Sequence, residues 1–331
     1  MTEARRAKIT AVGHYLPEDR LTNSDLEEMV DTSDEWIRTR TGIKERRILK
    51  DEDKATAFMG ARAAEEVIHQ RGINPAELDA IIVATVTPDY LFPATACLVQ
   101  KEIGAENAFG FDLSAACSGF LFALSNGANQ IESGRAEKVL VIGTDKMSSI
   151  IDYTDRSTCI LFGDGAGAVL LEASDDKTGI IDYIHHSEGD TGKTLYQPAG
   201  GSLNPSDEET VAQRLHYVKQ DGRTVFRKAI VGMADVIERV IKRNSLSIDD
   251  IDWLAPHQAN LRIIEATARR TGLSRENIMV NIQKYGNTTA ATIPLCLYDW
   301  KDKLMHNDNV ILAAFGGGYT WGSLLLKWGI K

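Results

Sequence analysis

Long apolar runs are missing from this 331-residue chain. None approaches the roughly 18 residues that a membrane-spanning helix needs, so no membrane association is expected. Cysteine is scarce: Cys97, Cys117, Cys159 and Cys296 are too few for a disulfide framework. They sit among apolar or small residues, which points to a reducing, cytoplasmic setting. Basic charge is in deficit. Against 47 Asp and Glu stand 37 Lys and Arg, a net charge of −10, which argues against a general nucleic-acid binder. Any acidic partner then needs a local basic patch. The opening, Met1-Thr-Glu-Ala-Arg-Arg-Ala-Lys, has no apolar signal core, so no targeting segment is expected. The histidines show no metal-ligand spacing, and no metal site is expected. What remains, 43% hydrophobic and 25% charged, is an ordinary globular composition with length for about two domains or one large one.

Apolar β-branched runs alternate with helical patterns, the signature of an α/β fold with at least partly parallel sheets. Strands are expected at 8–13, 80–85, 108–112, 139–144 and 168–172. Helices are expected at 34–38 behind a Ser33 cap, 56–71, 94–103 and 117–131. From Ser187 to Gly222 the texture changes, as in Glu188-Gly-Asp-Thr-Gly and Pro198-Ala-Gly-Gly-Ser. This reads as a long functional or mobile connection. Beyond it, helices are expected at 225–242, 262–271 and 288–304, and strands at 253–255, 278–280, 310–315 and 323–328.

The same order occurs twice. Asp79 and Asp252, each ahead of a strand, differ by 173; Asn107 and Asn277 differ by 170, and Lys138 and Asn309 by 171. Any repetitive α/β chain shows some echoes, but a near-constant offset predicts duplication, with halves at 1–180 and 181–331. By the same arithmetic Cys117, ten residues past Asn107, matches Asn287, ten past Asn277. Fused halves bring strand ends together, where α/β proteins bind ligands.

Four places can carry chemistry. Cys117, in Asp112-Leu-Ser-Ala-Ala-Cys-Ser-Gly, has small neighbours that leave room for a substrate, and an expected helix N-terminus that favours a thiolate. The other three cysteines read as small buried hydrophobes. His257, in Ala255-Pro-His-Gln-Ala-Asn, can be a general base, a hydrogen-bond donor, or a structural histidine held on backbone. Asn287, in Lys284-Tyr-Gly-Asn-Thr-Thr, reads as a helix cap whose amide hydrogens can also reach a ligand oxygen. Gly316-Gly-Gly-Tyr-Thr-Trp-Gly is either a tight turn or a backbone donor loop for an oxyanion. Gly163-Asp-Gly-Ala-Gly has the wrong spacing for a phosphate loop and reads as close packing. Arg223, Arg227 and Lys228 open one expected helix, while Arg262, Arg269 and Arg270 share another.

Together with Asp31-Thr-Ser-Asp-Glu-Trp-Ile-Arg-Thr-Arg-Thr-Gly-Ile and Pro256-His-Gln-Ala-Asn-Leu-Arg, this set resembles the β-ketoacyl-acyl carrier protein synthase III family of the thiolase superfamily, over essentially the whole chain. The resemblance implies a five-layered αβαβα sandwich of two duplicated halves, and a homodimer. It implies a triad of Cys117, His257 and Asn287, with oxyanion donors at the backbone N–H groups of Cys117 and Gly317. It puts the adenine end of coenzyme A between Trp36 and Arg156, with Thr32 and Arg40 beside it. Phe162 and Phe92, the latter contributed across the dimer, would shape the acyl pocket. Arg227, Gln258 and Arg262 would dock an acidic acyl carrier protein. The implied reaction is a decarboxylating Claisen condensation that initiates bacterial-type fatty acid synthesis. An acyl-coenzyme A primer, expected to be acetyl, condenses with malonyl-acyl carrier protein to give a β-ketoacyl product, carbon dioxide and coenzyme A. No cofactor is implied, because the coenzyme A thioester is a substrate.

A degradative thiolase would carry a second cysteine near the glycine loop, and Ala314-Phe-Gly-Gly-Gly-Tyr has none. Elongating ketosynthases pair cysteine with two histidines, where Asn287 stands here. Related Cys-His-Asn enzymes of polyketide or quinolone type, using another primer, stay open.

Overall fold

The computed structural model describes residues 5–174, 176–189 and 193–330. The opening residues 1–4 and the 190–192 part of the Gly-rich connection lie outside them. The first sheet holds β1 (Arg6–Tyr15), β2 (Ala80–Ala84), β3 (Phe109–Leu113), β4 (Lys138–Asp145) and β5 (Gly165–Ser174), in the order β1-β5-β4-β2-β3. The second holds β6 (Gly179–Ser187), β7 (Trp253–Pro256), β8 (Asn309–Gly316) and β9 (Thr320–Lys327), in the order β6-β9-β8-β7. In the first, β2 runs parallel to β3 and β4, and β5 antiparallel to β4 and β1. In the second, β7 is parallel to β8, and β9 antiparallel to β8 and β6. Every residue of β2 is buried, as suits a strand covered on both faces.

Helices supply that cover. The helices are α1 (Asp34–Thr41), α2 (Thr56–Arg71), α3 (Thr95–Ile103), α4 (Gly119–Glu132), α5 (Gly222–Arg243), α6 (Leu261–Thr271) and α7 (Thr292–Trp300). On the outer face of the first sheet, Met59, Val67 and Val99 of α2 and α3 pack on Ile81, Val83 and Leu140. Between the sheets, Phe120 and Leu124 of α4 and Ile293 and Leu297 of α7 share one core with Ile82 and Val141 on one side and Val310, Leu312 and Leu324 on the other. A helix lodged between two sheets must be apolar nearly all round, which explains the sequence of α4. On the far face, Val236, Ile237 and Val240 of α5 cover Ile311, Ala313 and Leu325, with α6 beside α5. The layers therefore run α-β-α-β-α.

The second sheet repeats the first strand for strand. Its fifth place holds a single parallel bridge, Leu254 to Ile278. The strand expected at 278–280 is cut to that bridge because Ile278 leaves a 3-10 turn (Arg275–Asn277) and the chain re-enters a helix at Ile282. Asp79 and Asp252 perform the same task. Asp79 N donates to Lys138 O (3.0 Å) and its Oδ2 accepts from Lys138 N (2.9 Å); Asp252 N donates to Asn309 O (3.1 Å) and its Oδ2 accepts from Asn309 N (2.8 Å). Sheet membership changes between Ser174 and Gly179, so the boundary expected at 180/181 falls inside β6.

One equivalence needs correcting. The helices expected from Cys117 and Thr288 both begin with a 3-10 turn, Ala116–Ser118 and Thr289–Ala291. Each turn opens on a residue at positive φ, Ala116 at 47° and Thr289 at 52°. These differ by 173, the offset of Asp79 and Asp252, so the counterpart of Cys117 is Ala290 and not Asn287. Three residues added ahead of the second turn had masked this.

Candidate active site

A cavity of about 870 Å³ runs from exposed Trp36, Arg40, Arg223, Arg227 and Arg262 down to buried Cys117, His257 and Asn287. Three residues far apart in the chain thus face one space, built from both halves.

Cys117 is the middle residue of its 3-10 turn. Ala116 holds the left-handed conformation, a strain non-glycine residues carry only where the surroundings enforce it. The enforcement is visible. Ser118 Oγ donates to Thr320 O (2.8 Å), and Thr320 Oγ1 donates to Ala115 O (2.7 Å), clamping the cysteine turn to the glycine loop. A Cβ on Gly316 would lie 2.7 Å from Cys117 N, so only glycine lets the two segments come this close. Gly317 lines the cavity beside them. Burial, with a contribution from the Asp145 carboxylate, pushes the Cys117 thiol up to about 12. The expected helix-favoured thiolate is therefore corrected. The α-helix starts only at Gly119, and burial leads the upward shift, so the resting nucleophile is a thiol.

His257 leaves the end of β7, its N–H donating to Ala313 O of β8 (2.8 Å). Its Nδ1 lies 2.7 Å from Thr292 Oγ1, and its buried Nε2 has no partner. Burial lowers its pKa to about 3, so the ring is neutral. Asn287 is gripped on both sides by the segment around Phe162: Asn287 N donates to Leu161 O (2.9 Å) and Gly163 N to Asn287 O (3.0 Å). Its Oδ1 accepts from Thr289 N (2.9 Å), which leaves the Nδ2 hydrogens free of that task; the cap position itself falls on Thr288, one residue past the expected Asn287. The Gly163 motif packs closely, as expected, since a Cβ on Gly163 would meet Tyr285 O at 2.6 Å.

Asp145 is a site residue that the motifs above do not include. Its buried carboxylate accepts from Thr85 Oγ1, Val86 N, and both Thr87 N and Oγ1 on one oxygen, and from Ala290 N (3.2 Å) on the other. It ties the first sheet to the turn that follows Asn287, and burial raises its pKa to about 6. The one available signal was a lone acid closing the apolar strand Val139-Leu-Val-Ile-Gly-Thr-Asp.

At the open end, Arg156 lies over the Trp36 ring at 5.0 Å and Arg40 at 6.0 Å, while Arg156 Nη1 donates to Asp31 O (2.7 Å). Thr32 is half-buried, with its hydroxyl unpartnered, off the cavity wall. Phe162 lines the cavity. Phe92 does not; it is 87% exposed, next to exposed Tyr90 and Leu91. Helix α5 begins early enough to include Arg223, so Arg223 and Arg227 share a face one turn apart, and Arg262 lies 5.3 Å over Phe226.

Gln258 is the residue the structure removes from the expected docking set. It is buried, donating to Pro256 O (2.7 Å) and Met279 O (3.1 Å) and accepting from Asn281 N (3.1 Å) and Ile282 N (3.2 Å). It joins β7 to the next loop and has no surface to offer. Gln258→Ala is expected to cost roughly 2–4 kcal/mol by stranding these backbone groups. Chemical denaturation would read this as a lower midpoint, with an unchanged Michaelis constant for any docked protein.

Among the described residues no group of three or more His, Cys, Asp or Glu is placed to hold a metal, and no helix is long and apolar enough to cross a membrane.

Two duplicated α/β halves, with a cysteine, a histidine and a carboxamide on one cavity, define a condensing enzyme of the thiolase fold. Residues 111–189 match the family described as 3-oxoacyl-[acyl-carrier-protein] synthase III, and residues 241–328 match its C-terminal part. The β-ketoacyl-[acyl-carrier-protein] synthase III of Chlorobaculum tepidum is 55% identical over 327 residues, 98% of this chain and 99% of that one. The crystal structure of the Aquifex aeolicus 3-oxoacyl-[acyl-carrier-protein] synthase III matches with a TM-score of 0.90 and 44% identity, covering 97% of this chain and 100% of that one. The priming β-ketosynthase of the R1128 polyketide pathway matches with a TM-score of 0.89 and 33% identity, over 99% and 98%. The chain belongs to the β-ketoacyl-acyl carrier protein synthase III family.

Proposed function

We propose that this protein condenses an acyl-coenzyme A primer, acetyl first among them, with malonyl-acyl carrier protein, and so starts fatty acid chains. The observation that carries this reading is the convergence of Cys117, His257 and Asn287 on one buried cavity with an arginine-rich mouth. Cys117 Sγ attacks the primer thioester while the backbone N–H groups of Cys117 and Gly317 hold the oxyanion. The thioester carbon–sulfur bond breaks, and the proton that left Cys117 ends on the coenzyme A sulfur. Malonyl-acyl carrier protein then loses carbon dioxide, with the enolate oxygen held by His257 and Asn287. The carbanion attacks the acyl-cysteine, and the β-ketoacyl product leaves Cys117 as a thiolate, which takes up one proton from solvent to return to the resting thiol. The two halves, divided between Ser174 and Gly179, act as one catalytic unit, the first giving the cysteine and the second the other two groups. No cofactor takes part.

Trp36 and Arg156 receive the adenine end of coenzyme A, with Arg40 and Thr32 beside them. Since Arg156 rests on Trp36, it must lift for the base to enter. Phe92, exposed on the loop ahead of α3, reaches the acyl pocket of a second copy in a homodimer. The free cysteines suit a reducing cytoplasm. Likeness to the polyketide priming enzyme supports a second reading, a different primer in the same chemistry. Mass spectrometry of the intact protein after incubation with an acyl-coenzyme A length series tests both. An acyl adduct on Cys117, largest for acetyl, is expected; absence of any adduct would sink the proposal.

Arg227 and Arg262 dock the acidic carrier despite the net charge of −10. Arg262→Glu is expected to raise the Michaelis constant for malonyl-acyl carrier protein about tenfold, as a lost favourable contact plus a new repulsion would. The constant for acyl-coenzyme A should stay near its original value. Steady-state kinetics with each substrate varied in turn reads the difference.

A further inference from the structure

We infer that the Thr292 hydroxyl fixes which ring nitrogen of His257 carries the proton, making Nε2–H a hydrogen-bond donor rather than a base. Thr292 is a positioning residue in this role, one step behind the reacting atoms.

Contact lengths, and what each acceptor already has, carry the assignment. Thr292 Oγ1 lies 2.7 Å from His257 Nδ1 and 3.1 Å from Thr289 O, and it has one proton to give. Thr289 O already accepts the backbone N–H of Thr292, which closes the 3-10 turn, so it does not need the hydroxyl. The proton goes to the shorter contact, the one to the ring; given to Thr289 O instead, it would leave Oγ1 to accept from Nδ1–H and Nε2 bare. A neutral imidazole that accepts at Nδ1 must carry its single proton at Nε2. That nitrogen is buried and has no partner in the protein, and His257 faces the cavity. Thr292 is itself well fixed. It is the first residue of α7, fully packed, and its β-branched side chain has few rotamers there.

The consequence is a division of labour. An Nε2–H ring donates to the enolate oxygen formed when malonate loses carbon dioxide, but it has no lone pair at Nε2 to take the Cys117 proton. Thioester exchange does not need one. The thiol proton and the coenzyme A thiolate balance, so the proton passes to the departing sulfur and nothing accumulates on His257. In serine proteases an imidazole held in the wrong tautomer costs about 10,000-fold, so the assignment is worth testing directly. It rests on the donor role given to His257 in the proposed function.

Nitrogen NMR of the full-length enzyme labelled at histidine, with the His257 signals assigned by their loss in His257→Asn, reads the tautomer. Protonated Nε2 and bare Nδ1 are expected; the reverse would overturn the inference. Thr292→Val keeps the shape and removes the proton. It is expected to slow malonyl-acyl carrier protein decarboxylation at least about tenfold while acylation of Cys117 proceeds at its original rate. Thr292→Ser is expected to restore decarboxylation to within about twofold. Equal rates in Thr292→Val and the parent, or equal losses in both half-reactions, would overturn it. If Thr292→Val does not fold, the parent spectrum decides alone. If the parent protein is never acylated, the proposed function fails, while the spectrum still reports the tautomer.

Discussion

Cys117→Ser is expected to end acyl transfer, lowering condensation by at least about 10,000-fold, the scale on which removing a catalytic nucleophile acts elsewhere. The substitution exchanges one atom in a buried turn and leaves the Ser118–Thr320 clamp untouched, so the fold should hold. The loss comes from chemistry. The Cys117 thiol, pushed up to about 12 by burial, gives its proton to the departing coenzyme A sulfur as the new thioester forms. A serine hydroxyl is a far weaker acid and a poorer nucleophile toward a thioester, and no free imidazole lone pair stands ready to help it. Decarboxylation of malonyl-acyl carrier protein should persist, because His257 and Asn287 remain in place. Intact-mass analysis would show no adduct with acyl-coenzyme A, while carbon dioxide release continues. Normal turnover by the serine variant would remove Cys117 from the mechanism.

Much of this was legible in the string, for physical reasons. Helix α2 appears with the same bounds in sequence and structure, 56–71, because an apolar face and a terminal Gly72 both mark it. The Asp79 and Asp252 echo was readable because each acid fixes the start of the next strand pair. What failed to show was anything set by distant neighbours. Burial, not local pattern, keeps Cys117 a thiol and His257 neutral. Gln258 looks like a polar surface residue beside Arg262 until the structure encloses it in four backbone groups. Asp145 and Thr292 do not stand out in the string because their partners lie 58 or more, and 35, positions away. The strained turns at Ala116 and Thr289 were read as plain helix starts, since nothing in their side chains announces positive φ.

Asn287→Ala should separate the two half-reactions. Acylation of Cys117 uses backbone donors only, so it is expected to continue at close to the original rate. Decarboxylation loses one of two donors to the enolate, a loss of roughly 3–4 kcal/mol or about 100- to 1000-fold in rate. Alanine alone is ambiguous, because Asn287 Oδ1 also accepts from Thr289 N. Losing that hydrogen bond costs about 1 kcal/mol and loosens the turn that carries Ala290 to Asp145. Asn287→Asp resolves the ambiguity. It keeps an oxygen for Thr289 N, so the turn and the thermal midpoint should be preserved, yet it has no hydrogens to donate and sets a charge against the enolate. If donation is the function of Asn287, the aspartate variant decarboxylates no faster than the alanine variant despite its better stability. If the bond to Thr289 N is all that matters, the aspartate variant recovers, and the enolate must find its second donor elsewhere. Single-turnover acylation, carbon dioxide release and thermal unfolding of the two proteins, measured side by side, distinguish these outcomes. Equal loss of both half-reactions in the alanine variant would contradict the division of labour itself.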